Sequence, residues 1–295
     1  MQSVAAWLVA RPQNAILGLA ATLLLPIVQV VSGILMVLLV LHQGVRLALL
    51  EGLVAGTILA IVGLAVGAPF TQVVISVLTT WLPAVLFAVA LQVTRSLTLT
   101  MQLSVIVAVI AVAVFYAVVS DVVAFWQPIL TKMVEVSREM GLDQQAELLT
   151  AEPGLVAGQM TMLVVFSSWT MYAGSCLLGY AMYRQLPGET GHYGRFRELN
   201  LGRVIALIMA LTSMLAVASG AVWLQNIAFV LFAIFWVQGL AILHWLHAEG
   251  HLPFLIVIAT YASLPVLHVF VVITLAVLGY MDAWFDFRRR AAKKR

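Results

Sequence analysis

The residues of this chain best suited to hold a metal ion are two histidines, His244 and His247, with Glu249 and His251 just beyond. On a helix a spacing of three places both imidazoles on one face, where their nitrogens can bind a metal. The cluster also lies where an apolar segment ends, beside Trp245, and there a histidine reaches water and lipid headgroups without a ligand. We favour the second interpretation and predict no metal and no cofactor.

Several amides interrupt very apolar surroundings. Gln225-Asn226 and Gln238 lie in segments that are otherwise hydrophobic. An amide in lipid is costly unless it is paired, so these side chains should face protein. They either form hydrogen bonds between helices or contact a polar substrate. With His268, interpreted in the same way, they are the candidate substrate-binding residues.

Near the end of the chain, Asp282 and Asp286 lie four residues apart and Arg288–Arg290 follow. We predict that all of them continue one helix, in which each carboxylate pairs with an arginine three or four positions on. Such a helix end also gains from anionic lipid headgroups. The alternative is a docking site for a cytoplasmic partner.

Four glycines recur at spacings of four, seven and four: Gly52, Gly56, Gly63 and Gly67. These spacings place them on one face of a helix, where small residues let another backbone approach closely. The face either packs within the molecule or docks a separate partner protein.

The motifs of catalysis are missing from this sequence. It has no G-x-x-x-x-G-K-[ST] loop and no H-E-x-x-H motif, and no arrangement of Ser, His and Asp suggests a nucleophile. The single Cys176 lies within an apolar run and cannot build a disulfide framework. We therefore predict that the protein is not an enzyme.

The elements that must position these residues are membrane helices. The chain is 63% hydrophobic and 9% charged, with a mean hydropathy of +1.09, whereas ordinary globular chains are about 25% charged. Lipid must cover the apolar surface, and a chain in lipid must satisfy its own backbone hydrogen bonds. The apolar runs are continuous and long enough for helices. The predicted fold is all-α, a polytopic transmembrane helical bundle in which the bilayer is the main partner and nucleic acid is not one.

About eight membrane segments are predicted, in a single integral membrane domain over residues 1–295. They are 14–43, 47–66, 71–92, 97–119, 155–183, 203–224, 227–246 and 252–281. The loop 120–153 separates a first half, 1–119, from a second, 154–295, and holds six carboxylates against Lys132 and Arg138. Within the loop, Pro128–Leu149 has the pattern of one amphipathic helix on the membrane surface or over the mouth of the bundle. Met1–Gln13 is predicted to be a short interfacial helix.

The distribution of Lys and Arg predicts the topology. If every segment crosses once, the basic tail and the Arg184–Arg203 link fall on opposite sides, against the positive-inside rule. If the first and last segments instead bend back at Pro26 and Pro265, the link and the tail both face the cytoplasm and the acidic loop faces outward. We favour this arrangement, in the inner membrane with a cytoplasmic C-terminus. Broken segments of this kind indicate an internal cavity.

Three stretches of the second half carry a resemblance to a known family. The run Ala276–Arg288 (AVLGYMDAWFDFR) resembles the closing signature of the YybS-like family of predicted membrane proteins. Asn226 with Phe235–Gly239, and Arg195 with Arg203, are similar to the same family. That resemblance implies a fold similar to the S components of energy-coupling factor transporters, which is a helical bundle with an outward-opening pocket. It also implies a separate transmembrane partner and cytoplasmic ATPases.

Three functions remain open. The first is a non-catalytic solute-binding or transport component, with a cavity lined by the buried amides and roofed by the Pro128–Leu149 helix. The second is a membrane scaffold or assembly factor without a pocket, for which the glycine face and the Asp282–Arg290 helix are protein contacts. The third, which we favour least, is a metal-dependent membrane enzyme that uses His244 and His247. No feature of the sequence identifies the substrate.

Overall fold

A computed structural model describes residues 2–24, 29–188 and 191–292, and over these ranges the regular structure is helical, without a strand. This confirms the all-α fold. The helices are α1 (Gln2–Ala10), α2 (Pro12–Leu24), α3 (Gln29–Gln43), α4 (Val45–Ala65), α5 (Phe70–Thr94), α6 (Leu97–Val118), α7 (Val122–Glu139), α8 (Asp143–Ala151), α9 (Pro153–Tyr183), α10 (Gly202–Ser219), α11 (Val222–Ala248), α12 (Phe254–Phe285) and α13 (Phe287–Ala292).

Among the described residues, seven helices are long and apolar enough to cross a membrane, and α3 is a shorter apolar helix. The seven are α4, α5, α6, α9, α10, α11 and α12. Together with α3 they account for the eight predicted membrane segments. Their outward side chains are large and apolar, as at Leu53 (69% exposed) and Val217 (87% exposed), which is the surface that hydrocarbon covers.

The chain divides into two compact units. One consists of Met1–Ser104 with Thr170–Phe196, and the other of Val105–Trp169 with Arg197–Arg295. The boundaries fall inside α6 and α9. Each unit therefore takes residues from both sides of the acidic loop.

The first unit is built around α3, and the segment 14–43 is not one straight helix. The Ser32 hydroxyl of α3 donates to the Leu19 carbonyl of α2 at 3.1 Å, although 13 residues would span about 20 Å along a straight helix. The indole Nε1 of Trp81 in turn donates to the Ser32 hydroxyl at 2.8 Å. Neither α2 nor α3 has the roughly 20 residues needed to cross a bilayer. The predicted bend at Pro26 lies outside the described residues.

Three of the four spaced glycines of α4 face other helices of the first unit. A Cβ at Gly63 would lie 2.9 Å from Cγ2 of Val73 in α5, and one at Gly52 would lie 3.0 Å from Cε of Met36. Gly56 faces the Trp81 ring. Gly67 is different, because α4 ends at Ala65 and Gly67 occupies a turn with φ of 78°. Its predicted place on the helix face is wrong.

In the second unit α12 folds back on itself. Leu267, two residues after Pro265, has non-helical angles (φ −115°, ψ 31°), and proline is a common cause of sharp kinks. The hydroxyl of Tyr261 lies 3.0 Å from His244 Nε2, while Asp286 lines the same hollow as Trp245. Residues 261 and 286 would be about 37 Å apart in a straight helix, yet both reach the last turns of α11.

The tail of the second unit contacts the link between α9 and α10. Arg288 Nη1 donates to the Arg197 carbonyl and its Nη2 to the Leu199 carbonyl, each at 2.9 Å. Because these segments touch, the link and the tail lie at the same end of the helices of the second unit. A tail that returns to the link is what the bent-back arrangement requires.

The acidic loop contains two helices instead of the predicted single one. α7 begins at Val122, where Asp121 caps it by accepting from the Ala124 N–H at 2.9 Å. Pro128 lies inside α7, and the helix stops before Gly141, whose φ of 73° ends the run. Trp126 anchors α7 to α9, since its Nε1 donates to the Thr161 hydroxyl at 2.9 Å.

Candidate functional site

A hollow of about 350 Å³ lies in the second unit where the end of α6 meets the beginnings of α7, α9 and α11. We call it the amide hollow. Its polar wall consists of Tyr116, Ser120, Asp121, Gln159 and Gln225. Because it is lined by the first residues of the acidic loop, it opens on the loop side of these helices. Only the first turn of α7 borders it, so the predicted roof of Pro128–Leu149 does not cover it.

The side chains of the amide hollow are only partly committed to other contacts. The Tyr116 hydroxyl donates to the Gly158 carbonyl at 3.1 Å. Gln225 is exposed, and its Nε2 makes one long hydrogen bond of 3.4 Å to the Gly220 carbonyl. Gln159 and Asp121 are exposed at the rim. The hollow therefore offers a hydroxyl, two amides and a carboxylate to a small polar molecule.

Asn226 lies behind the residues that line this hollow and is 1% exposed. Its Oδ1 accepts from the Met162 N–H at 2.9 Å, and its Nδ2 donates to the carbonyls of Gly158 (3.0 Å) and Val222 (2.9 Å). The amide thus bonds both α9 and α11, its two N–H donors are both used, and its burial keeps it away from a ligand. It positions the hollow, whereas its neighbour Gln225 faces into it.

A second polar group lies beside the C-terminal half of α11, among Gln238, Asp282 and Arg288; we call it the carboxylate cluster. Gln238 Oε1 accepts from the Leu201 N–H at 2.7 Å, and its Nε2 donates to Asp282 Oδ2 at 3.0 Å. Arg288 Nη2 lies 2.8 Å from the same Asp282 oxygen. Gln238 and Asp282 are fully buried and Arg288 is 8% exposed. Both hydrogen bonds of Gln238 are made to other parts of the protein. Of the two predicted roles, hydrogen bonding within the protein or substrate contact, the structure shows the first.

The pairing of Asp282 differs from the prediction. α12 ends at Phe285, and Asp286 takes the left-handed conformation (φ 49°, ψ 55°), so Arg288–Arg290 do not continue the same helix. The chain reverses, and Arg288 returns to Asp282 over six residues instead of three or four. The Phe287 N–H also donates to Asp282 Oδ1, at 3.0 Å. A buried charge is tolerated only when it is paired and hydrogen-bonded, as this one is.

Two glycines bring the carboxylate cluster together. A Cβ at Gly239 would lie 2.1 Å from the Leu275 carbonyl oxygen, and one at Gly279 would lie 2.2 Å from the Phe235 carbonyl oxygen. α11 and α12 therefore cross backbone to backbone, as small residues permit in membranes. This approach brings Gln238 within reach of Asp282. Sequence reasoning did not find the crossing, although Gly239 directly follows the amide and Gly279 lies in the closing signature.

The histidines occupy other contacts. His244 meets the Tyr261 hydroxyl, and His247 Nδ1 lies 3.1 Å from the Leu252 carbonyl oxygen. His268 is exposed on α12 and lines neither the amide hollow nor the carboxylate cluster. Over the described ranges, no three His, Cys, Asp or Glu side chains converge as metal ligands would.

Glu51 is a residue that the sequence analysis missed. It lies in the second turn of α4, is 8% exposed, and accepts a hydrogen bond from the Gln43 amide. A carboxylate inside a membrane segment is rare and is by default a candidate for function. The signal was available, because Glu51 is the only acidic residue in the apolar run 47–66.

Comparison with known proteins gives one match. A family model described as "Predicted membrane protein (DUF2232)" matches residues 14–283. The matched stretch contains the amide hollow and, apart from Arg288, the carboxylate cluster. No curated protein matches the chain, and no solved structure matches it.

Proposed function

We propose that this chain, which belongs to the DUF2232 family of predicted membrane proteins, is a non-catalytic solute-binding or transport component of the membrane. The observation that carries the proposal is the amide hollow, which is lined by Gln225 and Gln159 and behind which Asn226 joins α9 to α11. Amides and a hydroxyl that converge on a preformed hollow fix the orientation of a small polar solute. The chemistry of the wall favours a ligand with several hydrogen-bonding groups.

The broken segments support the same proposal. The α2–α3 pair near one end of the chain and the folded α12 near the other are interrupted apolar segments. In secondary transporters such segments surround the substrate path, because irregular backbone at membrane depth needs protein or water to cover it. The resemblance to S components adds a separate membrane protein and cytoplasmic ATPases as the proposed partners.

The charge distribution supports an orientation in the inner membrane. Outside Asp121–Glu152 lie 13 of the 15 Lys and Arg residues, and only Lys132 and Arg138 lie within it. Since Lys and Arg near span ends stay in the cytoplasm, the proposed C-terminus is cytoplasmic. The amide hollow would then open outward.

A ligand screen with one matched pair of variants tests the proposal. The purified protein is screened by thermal shift against vitamins and other small polar solutes, together with Gln225→Leu and Gln127→Leu. Gln127 is an exposed amide of α7 that does not line the amide hollow. We expect a solute that raises the Tm of the wild type and of Gln127→Leu but not that of Gln225→Leu. A solute that stabilises all three equally would contradict the assigned site.

An apolar groove in the first unit favours a second candidate, a membrane scaffold. It measures about 530 Å³ and lies between α4 and α5, with Gly52, Gly56 and Leu53 on one wall and Trp81 on the other. A groove with a glycine wall fits an apolar helix of a partner protein. A photo-crosslinking residue in place of Leu53 should give a discrete protein adduct in cells, and one at exposed Val217 should not. Adducts with lipid alone at both positions would remove this candidate.

A further inference from the structure

A second hollow in the second unit, of about 290 Å³, lies where the tail meets the ends of α11 and of the α9–α10 link. We call it the tail hollow. The side chains that decide its chemistry are those of Arg197, Glu198, Trp245, Asp286 and Arg289. Neither the amide hollow nor the proposed transport function uses it.

The tail hollow holds charges of both signs that have no partner within the described part of the chain. Arg288, which also lines it, already pairs with Asp282 and donates to two carbonyls. The guanidinium groups of Arg197 and Arg289, and the carboxylate of Asp286, have no hydrogen-bond or ion-pair partner among the residues that the structure describes. Glu198 adds a further carboxylate, which has a contact of its own.

Aromatic rings place the tail hollow at the depth of lipid headgroups. Phe285 and Phe287 flank Asp286 and stack on each other with centroids 5.8 Å apart. They are 42% and 40% exposed. Trp245 lies in the last turns of α11, and aromatic residues at span ends are typical of the membrane–water interface. A charged hollow at this level faces the phosphates of the adjoining leaflet.

We propose that the tail hollow binds the headgroup of a phosphoethanolamine lipid, with the phosphate on Arg197 and Arg289 and the ammonium on Asp286. A guanidinium matches phosphate oxygens in a bidentate geometry. A primary ammonium donates to a carboxylate and can also lie over the face of an indole, here that of Trp245. A purely anionic headgroup would leave Asp286 beside added negative charge. A quaternary ammonium has no N–H to donate to Asp286.

The test is a lipid titration of the full chain in detergent after its own lipids are removed. Binding is followed by native mass spectrometry with phosphatidylethanolamine, phosphatidylglycerol and phosphatidylcholine of identical acyl chains. We expect phosphatidylethanolamine to bind most tightly to the wild type. A charge-assisted hydrogen bond contributes roughly 1.5–3 kcal/mol, so Arg289→Gln should weaken that binding about tenfold or more. Arg290→Gln, the neighbouring arginine that does not line the tail hollow, should bind as the wild type does.

Asp286→Asn isolates the ammonium contact. It should remove the preference for phosphatidylethanolamine while binding of phosphatidylglycerol persists. Equal binding of phosphatidylglycerol and phosphatidylethanolamine by the wild type would overturn the proposal, and so would a preference that survives Asp286→Asn. If soluble phosphoethanolamine or inorganic phosphate binds as tightly as the lipid, the ligand of the tail hollow is not specifically a lipid. The Tm of each variant without lipid shows that it is folded.

Discussion

At the scale of single residues, the charge of the Asp282 carboxylate is stabilised by neighbouring protein groups and not by water. It is fully buried, and its two oxygens accept from Gln238, from the Phe287 N–H and from Arg288. Water cannot replace a lost partner at such a site, because the group is out of its reach. Arg288 is buried in the same way, and it also donates to two carbonyls of the link.

Asp282→Asn should therefore destabilise the protein strongly, since it leaves Arg288 buried without a counter-charge. Breaking a buried pair in this way costs about 3–5 kcal/mol. The loss is measured as the change in the free energy of unfolding in mixed micelles. Asp286→Asn is the matched control, because that carboxylate is only half-buried and has no ion-pair partner among the described residues. Without added lipid it should change little.

A double variant separates the charge from the packing. Asp282→Leu with Arg288→Met replaces both partners by apolar side chains, and such replacements of a buried pair are often neutral or stabilising. It should recover much of the stability that Asp282→Asn loses. If Asp282→Asn alone unfolds at the same denaturant concentration as the wild type, the ion pair does not hold the tail to the link.

Residue types were predictable here and their partners were not. The cost of a bare amide in lipid predicted from the sequence alone that Gln238 and Asn226 face protein, and left open whether they bond other helices or a substrate. Their partners, Asp282 and Gly158, lie 44 and 68 residues away, and no periodicity within one helix encodes such distances. The substrate role of Gln225 stays a prediction. The structure adds that Gln225 lines the amide hollow.

At the scale of helices, the crossing of α11 and α12 depends on two missing side chains. A Cβ added to Gly239 or to Gly279 would clash with a backbone carbonyl oxygen of the other helix. The glycines of α4 were visible in the sequence because they share one helix. Gly239 and Gly279 were not, because a pair split between two helices leaves no spacing to find. Pro265 did predict the break in α12, since its ring removes a backbone donor wherever it sits.

Gly239→Ala should force α11 and α12 apart and separate Gln238 from Asp282. Overpacking of a core costs roughly 1–3 kcal/mol and sometimes more, and here the clash is with backbone, so we expect the upper end or beyond. The readout is the yield of folded monomer together with its Tm. Gly174→Ala is the control, because a Cβ there would meet nothing within 4 Å and alanine favours a helix. Similar losses in both variants would contradict a specific crossing.

At the scale of the whole molecule, the folded α12 decides on which side the tail lies. In a cysteine-free background made by Cys176→Ala, single cysteines replace Lys132, His251 and Arg290, which are all exposed. With a thiol reagent that does not cross membranes, we expect intact cells to label Lys132→Cys only. The other two should react only after permeabilisation. Labelling of His251→Cys and Arg290→Cys from opposite sides would mean that α12 crosses the membrane.

The first limb of α12 has a consequence for the lipid around it. From Phe254 to its break it has about 13 residues, or roughly 20 Å of helix, and most of its side chains are exposed. A bilayer of ordinary thickness exceeds that length by roughly 10 Å. In the bent-back arrangement we therefore expect the leaflets above the tip at Pro265 to thin or dip, at a cost that grows with each added ångström of acyl chain. The protein should accordingly either partition into thinner regions of the membrane or thin the bilayer around itself.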